Sequence, residues 1–271
     1  MFFSEPEPAR GQPLRVTEDI VRLVAPNPGP MTYHGTNSYL VSTTTGNVVI
    51  DPGPADDGHI RAILDAAGGS VGRILITHAH DDHVAGVQKL VAQTGAAVAG
   101  GIPCPKRRYD LQSVITDGDE INGLSVISTP GHARDHLCFQ WGDIVFTGDH
   151  VLGWAATSIL APEGDAAAYH RSLQRLTLTS SRLFLPGHGP AIRGTRRFID
   201  ALMQQMAERE QILWAAVADR PAGTSELVAR AYSNLSAQTR SIAERTIEAQ
   251  LVRLEQLGRV VRENEQWRSL R

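Results

Sequence analysis

Three histidines and two aspartates lie within six positions, in the segment His78-Ala79-His80-Asp81-Asp82-His83. The apolar and β-branched run just before them, residues 74–77, predicts a short buried strand, and a helix is expected from Val84. Two side chains that are two residues apart on extended backbone leave the same face, as His78 and His80 would. Imidazole and carboxylate groups suit zinc, iron or manganese. The segment therefore predicts half of a two-metal site, and the alternative is a His-rich surface loop.

Three more ligand-type side chains each follow a predicted strand and a glycine. They are His132 in Pro-Gly-His, Asp149 in Gly-Asp and His188 in Gly-His-Gly. Each one alone is better explained as a turn or core residue, but the three occur in this order at strand ends together with the histidine cluster. Glycine lets the backbone approach closely, and ligands bind at the carboxyl ends of strands in α/β proteins. We therefore predict two metals, with Asp149 as the bridge between them. The predicted ligands are His78, His80 and His132 for one metal, and Asp82, His83 and His188 for the other.

Strands and helices alternate along the chain up to about residue 200. Residues 1–13 are Pro-rich and are expected to form a loose arm. Apolar runs bounded by Gly, Pro, Asn or Asp predict strands, and longer periodic segments that end at glycine predict helices. The predicted strands are 16–25, 38–42, 47–51, 96–99, 124–129, 137–141, 144–147 and 182–185, and the predicted helices are 60–67, 84–93 and 166–176.

The series Thr-His-x-His-x-Asp-His, Pro-Gly-His, Gly-Asp and Gly-His-Gly resembles the metallo-β-lactamase superfamily over about residues 16–200. This resemblance implies an α/β fold, the αββα sandwich, with the metals at one edge. It implies two divalent ions, zinc in the first place, with iron or manganese as alternatives. Asp51, at the end of Val-Val-Ile-Asp-Pro-Gly, matches the family's aspartate beside the metal loop, which would orient ligands rather than bind metal.

Residues 27–32, 35–41 and 186–190 look like the branch typified by the animal lactamase-beta-2-like protein. That branch carries a C-terminal winged-helix-like domain, and its animal member is described as a single-strand endoribonuclease. We therefore expect a catalytic domain over residues 1–199 and a winged-helix-like domain over 200–271. Predicted helices at 198–217, 225–232 and 242–257 and wing strands at 258–262 and 266–268 agree with this. The tail carries ten arginines and ten acidic residues, which favours a scaffold or dimerisation role over nucleic-acid contact.

The predicted chemistry is hydrolysis by a metal-bridging hydroxide, with Asp82 both a ligand and the group that carries the proton. Three functions compete: a hydrolase for an ester, thioester or amide of a small molecule; a single-strand endoribonuclease; and a non-catalytic metal-binding protein. The complete ligand set argues against the last. The 38 residues between Asp149 and His188 leave no room for the inserted domain of the β-CASP nucleases. We therefore predict the hydrolase, with the RNA phosphodiesterase as the alternative.

Composition limits the partners. The chain has 271 residues, 42% hydrophobic content and a net charge of −3, so no global basic field attracts nucleic acid or anionic membranes. The first residues lack a basic region followed by a long apolar stretch, and no apolar run spans a bilayer, so a cytoplasmic protein without membrane contact is expected. A homodimer through the helical tail remains open. Arginines flank the ligand loops and favour an anionic substrate; they are Arg134, Arg193, Arg196 and Arg197, with Lys106, Arg107 and Arg108 expected nearby.

Overall fold

The computed structural model describes residues 2–102, 109–232 and 235–270. The chain divides into two compact units. The first comprises Met1–Thr129, Asp135–Thr157 and Thr179–Thr195, and the second Pro130–Arg134, Ser158–Leu178 and Arg196–Arg271. The basic segment around Lys106 lies outside the described residues.

The first unit contains two β-sheets and three helices. Its strands are β1 (Leu14–Arg15), β2 (Ile20–Val24), β3 (Asn37–Thr43), β4 (Gly46–Ile50), β5 (Arg73–Leu75), β6 (Ala97–Gly100), β7 (Ser113–Val114), β8 (Glu120–Ile121), β9 (Leu124–Ser128), β10 (Leu137–Trp141), β11 (Ile144–Gly148), β12 (Leu183–Pro186) and β13 (Ile192–Arg193). Its helices are α1 (Asp57–Ala66), α2 (Asp81–Val84) and α3 (Val87–Thr94).

The first sheet has seven strands in the order β1 to β7, antiparallel from β1 to β4 and parallel from β4 to β7. The second has six strands in the order β13-β12-β11-β10-β9-β8, in which only β11 and β12 are parallel. Neighbouring parallel strands end at the same edge of their sheet. The pairing therefore brings together the loops that follow β4 and β5 in one sheet, and those that follow β11 and β12 in the other.

Alternating side chains on these strands form the core between the sheets. Val48 and Ile50 of β4 point into this core, while Val49 between them points to the opposite face of the sheet. The opposite face is covered by α1 and α3. Its packed residues are Leu40, Val49, Ile74 and Val98 from the strands, Ile60 and Ile63 from α1, and Val87 and Leu90 from α3.

The helix that follows His78 and His80 begins earlier than predicted. Helix α2 starts at Asp81, and not at Val84, so Asp82 and His83 lie in its first turn. Carboxylates are favoured there because the helix N-terminus carries partial positive charge. Since Asp81, Asp82 and His83 are polar, the apolar pattern could not reveal them as helical.

The predicted loose arm is wrong for the residues around Glu5. The Glu5 carboxylate accepts hydrogen bonds from both terminal nitrogens of the buried Arg22, at 2.9 and 2.5 Å. Its backbone N–H donates to the Tyr33 hydroxyl, and the Phe3 N–H donates to the Gly153 carbonyl. An ion pair at a buried guanidinium holds the arm in place because the unpaired charge would be costly to bury.

The second unit contains α4 (Ala166–Leu176), α5 (Thr195–Asp219), α6 (Thr224–Ala231), α7 (Ala237–Gln256), β14 (Val260–Glu263) and β15 (Gln266–Ser269). Strands β14 and β15 form an antiparallel hairpin, as the predicted wing requires. Trp267 on β15 is 1% exposed and packs in an apolar cluster with Leu227 of α6 and Leu251 and Leu254 of α7. Helix α5 runs across the predicted boundary at residue 199, and the division at that residue stays a prediction. Among the helices described, none combines the length and apolar character that crossing a membrane requires.

His59 makes the stability of the first unit sensitive to acid. Its ring is 2% exposed in α1, its Nε2 lies 2.9 Å from the Ser38 hydroxyl, and its Nδ1 has no hydrogen-bond partner among the described residues. Burial lowers the pKa of His59 to about 4, and Asp56 raises it only partly. The unfolded chain therefore binds a proton first, so the stability contributed by neutral His59 is complete above pH ~6.5 and is lost as the pH falls toward 4.

We expect His59→Gln to remove this dependence. Between pH 7 and pH 5 the unfolding free energy of the unmodified protein should fall by roughly 2 kcal/mol more than that of the variant. Urea unfolding of both metal-free proteins measures this, and the other histidines cancel because they are common to both. Parallel losses in the two proteins would show that His59 is not the group responsible.

Candidate metal centre

Strand β5 delivers the first pair of histidines. Thr77 follows it, and the Thr77 hydroxyl donates its single hydrogen to the Asp51 carboxylate at 2.6 Å. The hydroxyl oxygen must therefore accept at its 3.0 Å contact with His78, so His78 Nδ1 is the donor. The unprotonated Nε2 of His78 then faces His80 Nδ1, 2.9 Å away. Two imidazole nitrogens converge there, as a metal requires.

Asp51 contacts the ligand cluster from outside and positions its loop by hydrogen bonds. It directly follows β4, has φ of +50° and is 2% exposed. Its carboxylate accepts from the Thr77 N–H at 2.8 Å, from the Thr77 hydroxyl and from His83 Nδ1 at 2.8 Å. Three donors account for its place at a strand end, because a buried carboxylate needs such partners. This arrangement agrees with the orienting role that the resemblance implies.

His83 and His188 face each other through their Nε2 atoms, 3.3 Å apart. His188 reaches this position from the loop after β12, and His83 from the first turn of α2. Asp82 Oδ2 lies 3.2 Å from His188 Nε2 and 3.7 Å from His83 Nε2. Asp149 Oδ1, from the loop after β11, lies 3.4 Å and 3.5 Å from the same two nitrogens. Gly187 permits this approach, since a Cβ there would stand 2.6 Å from Asp149 Oδ1.

This donor set fits a divalent cation. His83 Nδ1 faces a carboxylate and His188 Nδ1 faces the Gly35 carbonyl, both of which can only accept. Each Nδ1 therefore donates, so in the neutral rings the two Nε2 lone pairs point at each other, and either added protons or a metal cation relieves the repulsion. Ligand atoms bound tetrahedrally at zinc distances stand about 3.3 Å apart, close to the separations observed. The three groups His78/His83/Asp149, Asp82/His83/His188 and His78/His80 share ligands and form one cluster in the first unit.

The charges of the cluster are strongly coupled. Burial lowers the pKa of His83, but the carboxylates of Asp82, Asp149 and Asp51 outweigh it and hold that pKa well above its ordinary value. Burial also lowers the pKa of His188, but Asp149 and Asp82 outweigh this effect and raise that pKa to about 9. Burial raises the pKa of Asp82, but His83 and His188 lower it to about 2. Without metal, protons therefore occupy the imidazoles at neutral pH, and metal uptake must displace them.

His132 belongs to the second compact unit, in the short segment Pro130–Arg134. It is 9% exposed, and its Nδ1 donates to the Ser158 carbonyl at 2.7 Å, so Nε2 carries the lone pair that a metal would need. The backbone beside it is fixed by the Asp165 N–H, which donates to the Gly131 carbonyl. Only glycine fits at residue 131, because a Cβ would stand 2.4 Å from the Tyr169 Cα. The sharing of one metal by His132, His78 and His80 stays a prediction.

His136 is a residue of the cluster that the sequence did not identify. It is fully buried, its ring stacks on that of His78 at 5.1 Å, and its Nδ1 lies 2.8 Å from the Thr129 hydroxyl. The ring of His150, the residue after Asp149, lies 5.6 Å from the ring of His136. His136 therefore packs against the ring of His78 and helps to hold it in place. Its position directly before a strand, after Arg134 and Asp135, was the only signal.

Asn37 fixes the loop that carries His188. It is 1% exposed, and its amide group donates to the carbonyls of Pro186 and Gly189 at 2.8 and 3.0 Å. Its own side-chain oxygen accepts from Arg22 Nε at 2.8 Å. The backbone N–H of Asn37 also donates to the Gly187 carbonyl. Asn37 is thus a positioning residue that grips the loop on both sides of His188.

We expect Asn37→Asp to weaken metal binding about 10-fold to 100-fold, although no ligand is removed. The carboxylate cannot donate to the two carbonyls, so the loop loses its anchor. Asn47→Asp is the matched control, because Asn47 also donates to two carbonyls, those of Ala67 and Ser70, at the start of β4. Competition with a chromophoric chelator measures the affinity. Equal losses in the two variants would reduce the role of Asn37 to general stability.

Comparison with known proteins agrees with the architecture. The family model described as metallo-beta-lactamase superfamily matches residues 31–102, and one described as beta-lactamase associated winged helix domain matches residues 224–267. The atrochrysone carboxyl ACP thioesterase of Passalora fulva is 30% identical over 249 residues, which cover 84% of this chain and 73% of that protein. The chain belongs to the metallo-β-lactamase superfamily. The lactamase-like protein adaB of Aspergillus niger is 33% identical over 216 residues, which cover 75% of this chain and 65% of the length of adaB.

Solved structures of the superfamily share the fold. A beta-lactamase domain protein from Burkholderia ambifaria superposes with a TM-score of 0.84 and 21% identity, covering 97% of this chain and 95% of that one. TTHA1623, solved in a di-iron-bound form, is 30% identical with a TM-score of 0.54, covering 61% of this chain and 92% of its own. The predicted α/β metallo-β-lactamase fold with a C-terminal winged-helix domain is confirmed. Superfamily membership also supports the prediction of a hydrolase.

Proposed function

We propose that the protein is a dinuclear metal-dependent hydrolase that cleaves a thioester of a small anionic acyl compound. One observation carries the proposal: the facing Nε2 atoms of His83 and His188, 3.3 Å apart, are closed in by the carboxylates of Asp82 and Asp149. Such a cluster suits a cation and leaves carboxylate oxygen beside it for proton transfer.

Two ions are proposed because the ligand atoms are too many for one. His78, His80 and His132 would hold one ion, and Asp82, His83 and His188 the other, with Asp149 between them. The Nδ1 atoms of His78, His83, His132 and His188 all face groups that fix them as donors, which leaves Nε2 for metal in each. The di-iron form of TTHA1623 supports two ions of this kind. Zinc remains the first expectation, with iron or manganese as alternatives.

When bound, the ions would polarise the substrate carbonyl and make a water acidic near neutral pH. Asp82 would transfer the proton from the attacking water to the leaving group. Its side chain is 32% exposed, so it can meet substrate, and its low pKa keeps it ionised. An ionised carboxylate can accept a hydrogen bond from the attacking water and hand the proton to the leaving group. The Thr36 hydroxyl donates to the Asp82 carbonyl at 3.0 Å and holds this residue in place.

A thioester is the favoured substrate class. The Passalora fulva relative is named as a thioesterase that acts on an acyl carrier protein, and its similarity extends over 84% of this chain. A thiolate is a good leaving group, so Asp82 needs to deliver a proton only late. The exposed arginines near the ligand loops favour an acyl group that carries a carboxylate.

The described part of the winged-helix domain does not favour RNA cleavage. Several of its arginines pair with glutamates, as Arg262 does with Glu248 and Arg268 with Glu263. A nucleic-acid-binding face would instead present unpaired positive charge.

The described part of the first unit offers few aromatic side chains on which RNA bases could stack. Tyr109 is buried in the core under α1 and α3, while Tyr33 and Trp154 stack on each other at 5.2 Å.

Turnover by zinc-, iron- and manganese-loaded protein tests the proposal. The panel contains acyl-pantetheine and acyl-glutathione thioesters, lactones, phosphodiesters and single-stranded RNA. We expect thioesters to be cleaved fastest, and Asp82→Ala and His188→Ala to abolish cleavage. If RNA is cut by the unmodified protein and thioesters are not, and both variants abolish cutting, the endoribonuclease replaces the proposal. Binding of metal without any turnover would leave only the non-catalytic reading.

A further inference from the structure

Two adjoining cavities lie along the seam between α4 and α7, both within the second compact unit. The larger has a volume of about 510 Å³ and the smaller about 350 Å³, and Gln256 lines both. The larger one begins at Pro130, Gly131 and Arg134, the loop that carries His132. Together they form a groove that starts at the loop of a candidate metal ligand. Its floor follows α7 from Glu248 to Leu257, a length of about 14 Å at the helical rise.

The larger cavity is mostly apolar. Its walls are small side chains, among them Ala161, Ala166, Ala168 and Ala249. Its acidic groups already have partners. Glu248 forms an ion pair with Arg262 at 2.8 Å and accepts from the Thr224 hydroxyl, Asp165 caps α4, and Glu163 at the rim is also engaged. This part of the groove therefore suits an uncharged chain rather than a cation.

The smaller cavity has the opposite character. Its polar lining consists of His170, Arg171, Arg253 and Gln256, and none of its lining residues is acidic. Both carboxylate oxygens of Glu210 lie 2.6 Å from one terminal nitrogen of Arg253, which fixes the place of the guanidinium. Burial and then the charges of Arg253 and Arg171 lower the pKa of His170, so both guanidinium groups act on this imidazole. The side chains of His170, Arg171 and Arg253 therefore line the far end of the groove with N–H groups beyond the Arg253 nitrogen that Glu210 binds, which suits a phosphate.

We propose that this groove binds the phosphorylated pantetheine arm of the thioester substrate, with the phosphate at Arg171, Arg253 and His170. The pantetheine chain then lies over the apolar part, and the thioester end reaches the loop of His132. The inference rests on the proposed thioesterase function and names the carrier: an acyl group on phosphopantetheine. Coenzyme A and an acyl carrier protein both present this arm, and the groove recognises the chemistry that they share.

Kinetics with one acyl group on different carriers tests the groove. The substrates are acyl-pantetheine, acyl-phosphopantetheine, acyl-coenzyme A and the acylated carrier protein, with metal-loaded protein. We expect the phosphate to raise kcat/KM roughly 10-fold or more, as one charge-assisted contact allows. Arg171→Gln should abolish that gain, so that kcat/KM of the variant is the same for acyl-phosphopantetheine and acyl-pantetheine. Arg175→Gln is the matched control, since Arg175 is exposed on the same helix but lines neither cavity. The ratio between the last two substrates shows which carrier is used.

Calorimetric binding of phosphopantetheine and pantetheine to the metal-free protein separates this inference from the proposed function. Tighter binding of the phosphorylated compound, weakened by Arg171→Gln and not by Arg175→Gln, supports the groove even if no thioester is cleaved. Equal binding of the two compounds, or equal turnover of the phosphorylated and unphosphorylated thioesters, overturns the groove while leaving the thioesterase intact.

Discussion

The variant Asp149→Asn is expected to lose metal and activity together. Asp149 Oδ1 lies within 3.5 Å of both His83 Nε2 and His188 Nε2, and it also groups with His78. Its charge therefore acts on the ligands of both proposed ions. An amide of the same shape is neutral, so we expect metal affinity to fall by more than about 100-fold, beyond the effect of changing an outer partner. Elemental analysis after gel filtration and turnover of an acyl-pantetheine thioester measure the two losses.

A second readout follows the imidazoles without metal. Burial lowers the pKa of His188, and Asp149 is the strongest influence that raises it to about 9. In metal-free Asp149→Asn the pKa of His188 should fall toward its ordinary value, which histidine NMR titration detects. Asp143→Asn is the control, because Asp143 lies in the turn at the other end of β11 and pairs with Arg182. Normal metal content in Asp149→Asn would contradict the placement of this residue at the centre of the cluster.

The ligand positions could be predicted because they depend on local patterns. Asp149 and His188 each follow a run of apolar residues and a glycine, and the structure places these runs in β11 and β12. Those strands pair in parallel, so their ends lie side by side and both ligands arrive at one edge. The order strand, glycine, ligand is a short local pattern, so it can be recognised without knowing the rest of the fold. The fold class was implied by the family resemblance that these motifs carry.

The supporting residues could not be predicted because their partners are far away in sequence. Asn37 is 149 residues from Pro186, and Arg22 reaches Glu5 in an arm that composition alone suggested was loose. Buried hydrogen bonds of this kind leave no periodic pattern. His136 likewise sits before a strand like many core residues, and only the fold places its ring on His78.

The compact units show the same limit at a larger scale. A boundary at residue 199 was predicted from the resemblance to a branch with a C-terminal winged-helix-like domain, yet the segments Pro130–Arg134 and Ser158–Leu178 group with the tail. Chain order gives no sign of this grouping, because it depends on backbone contacts such as that of the Ala161 N–H with the Arg245 carbonyl. The groove between α4 and α7 arises from it and was therefore invisible in the sequence.

The variant Asp51→Asn is expected to weaken metal binding roughly 10-fold to 100-fold while keeping every ligand. The Thr77 N–H needs an acceptor, so the amide oxygen should turn toward it. The amide NH2 group would then face the Thr77 hydroxyl and His83 Nδ1, which now accept in place of the carboxylate that they donated to. His83 must move its proton to Nε2, the atom that would bind metal. The released Thr77 hydroxyl can donate to His78 Nδ1, with the same consequence there.

Nitrogen NMR of the imidazoles distinguishes this tautomer change from simple loosening of the fold. In metal-free Asp51→Asn at a pH above the pKa of both rings, the proton should appear on Nε2 of His83 and His78, whereas in the unmodified protein it lies on Nδ1. Asp56→Asn provides the control, because asparagine caps α1 about as well as aspartate and lies away from the cluster. If Asp51→Asn binds metal like the unmodified protein with the proton still on Nδ1, then the strand-end carboxylate does not determine which imidazole nitrogen is available to the metal.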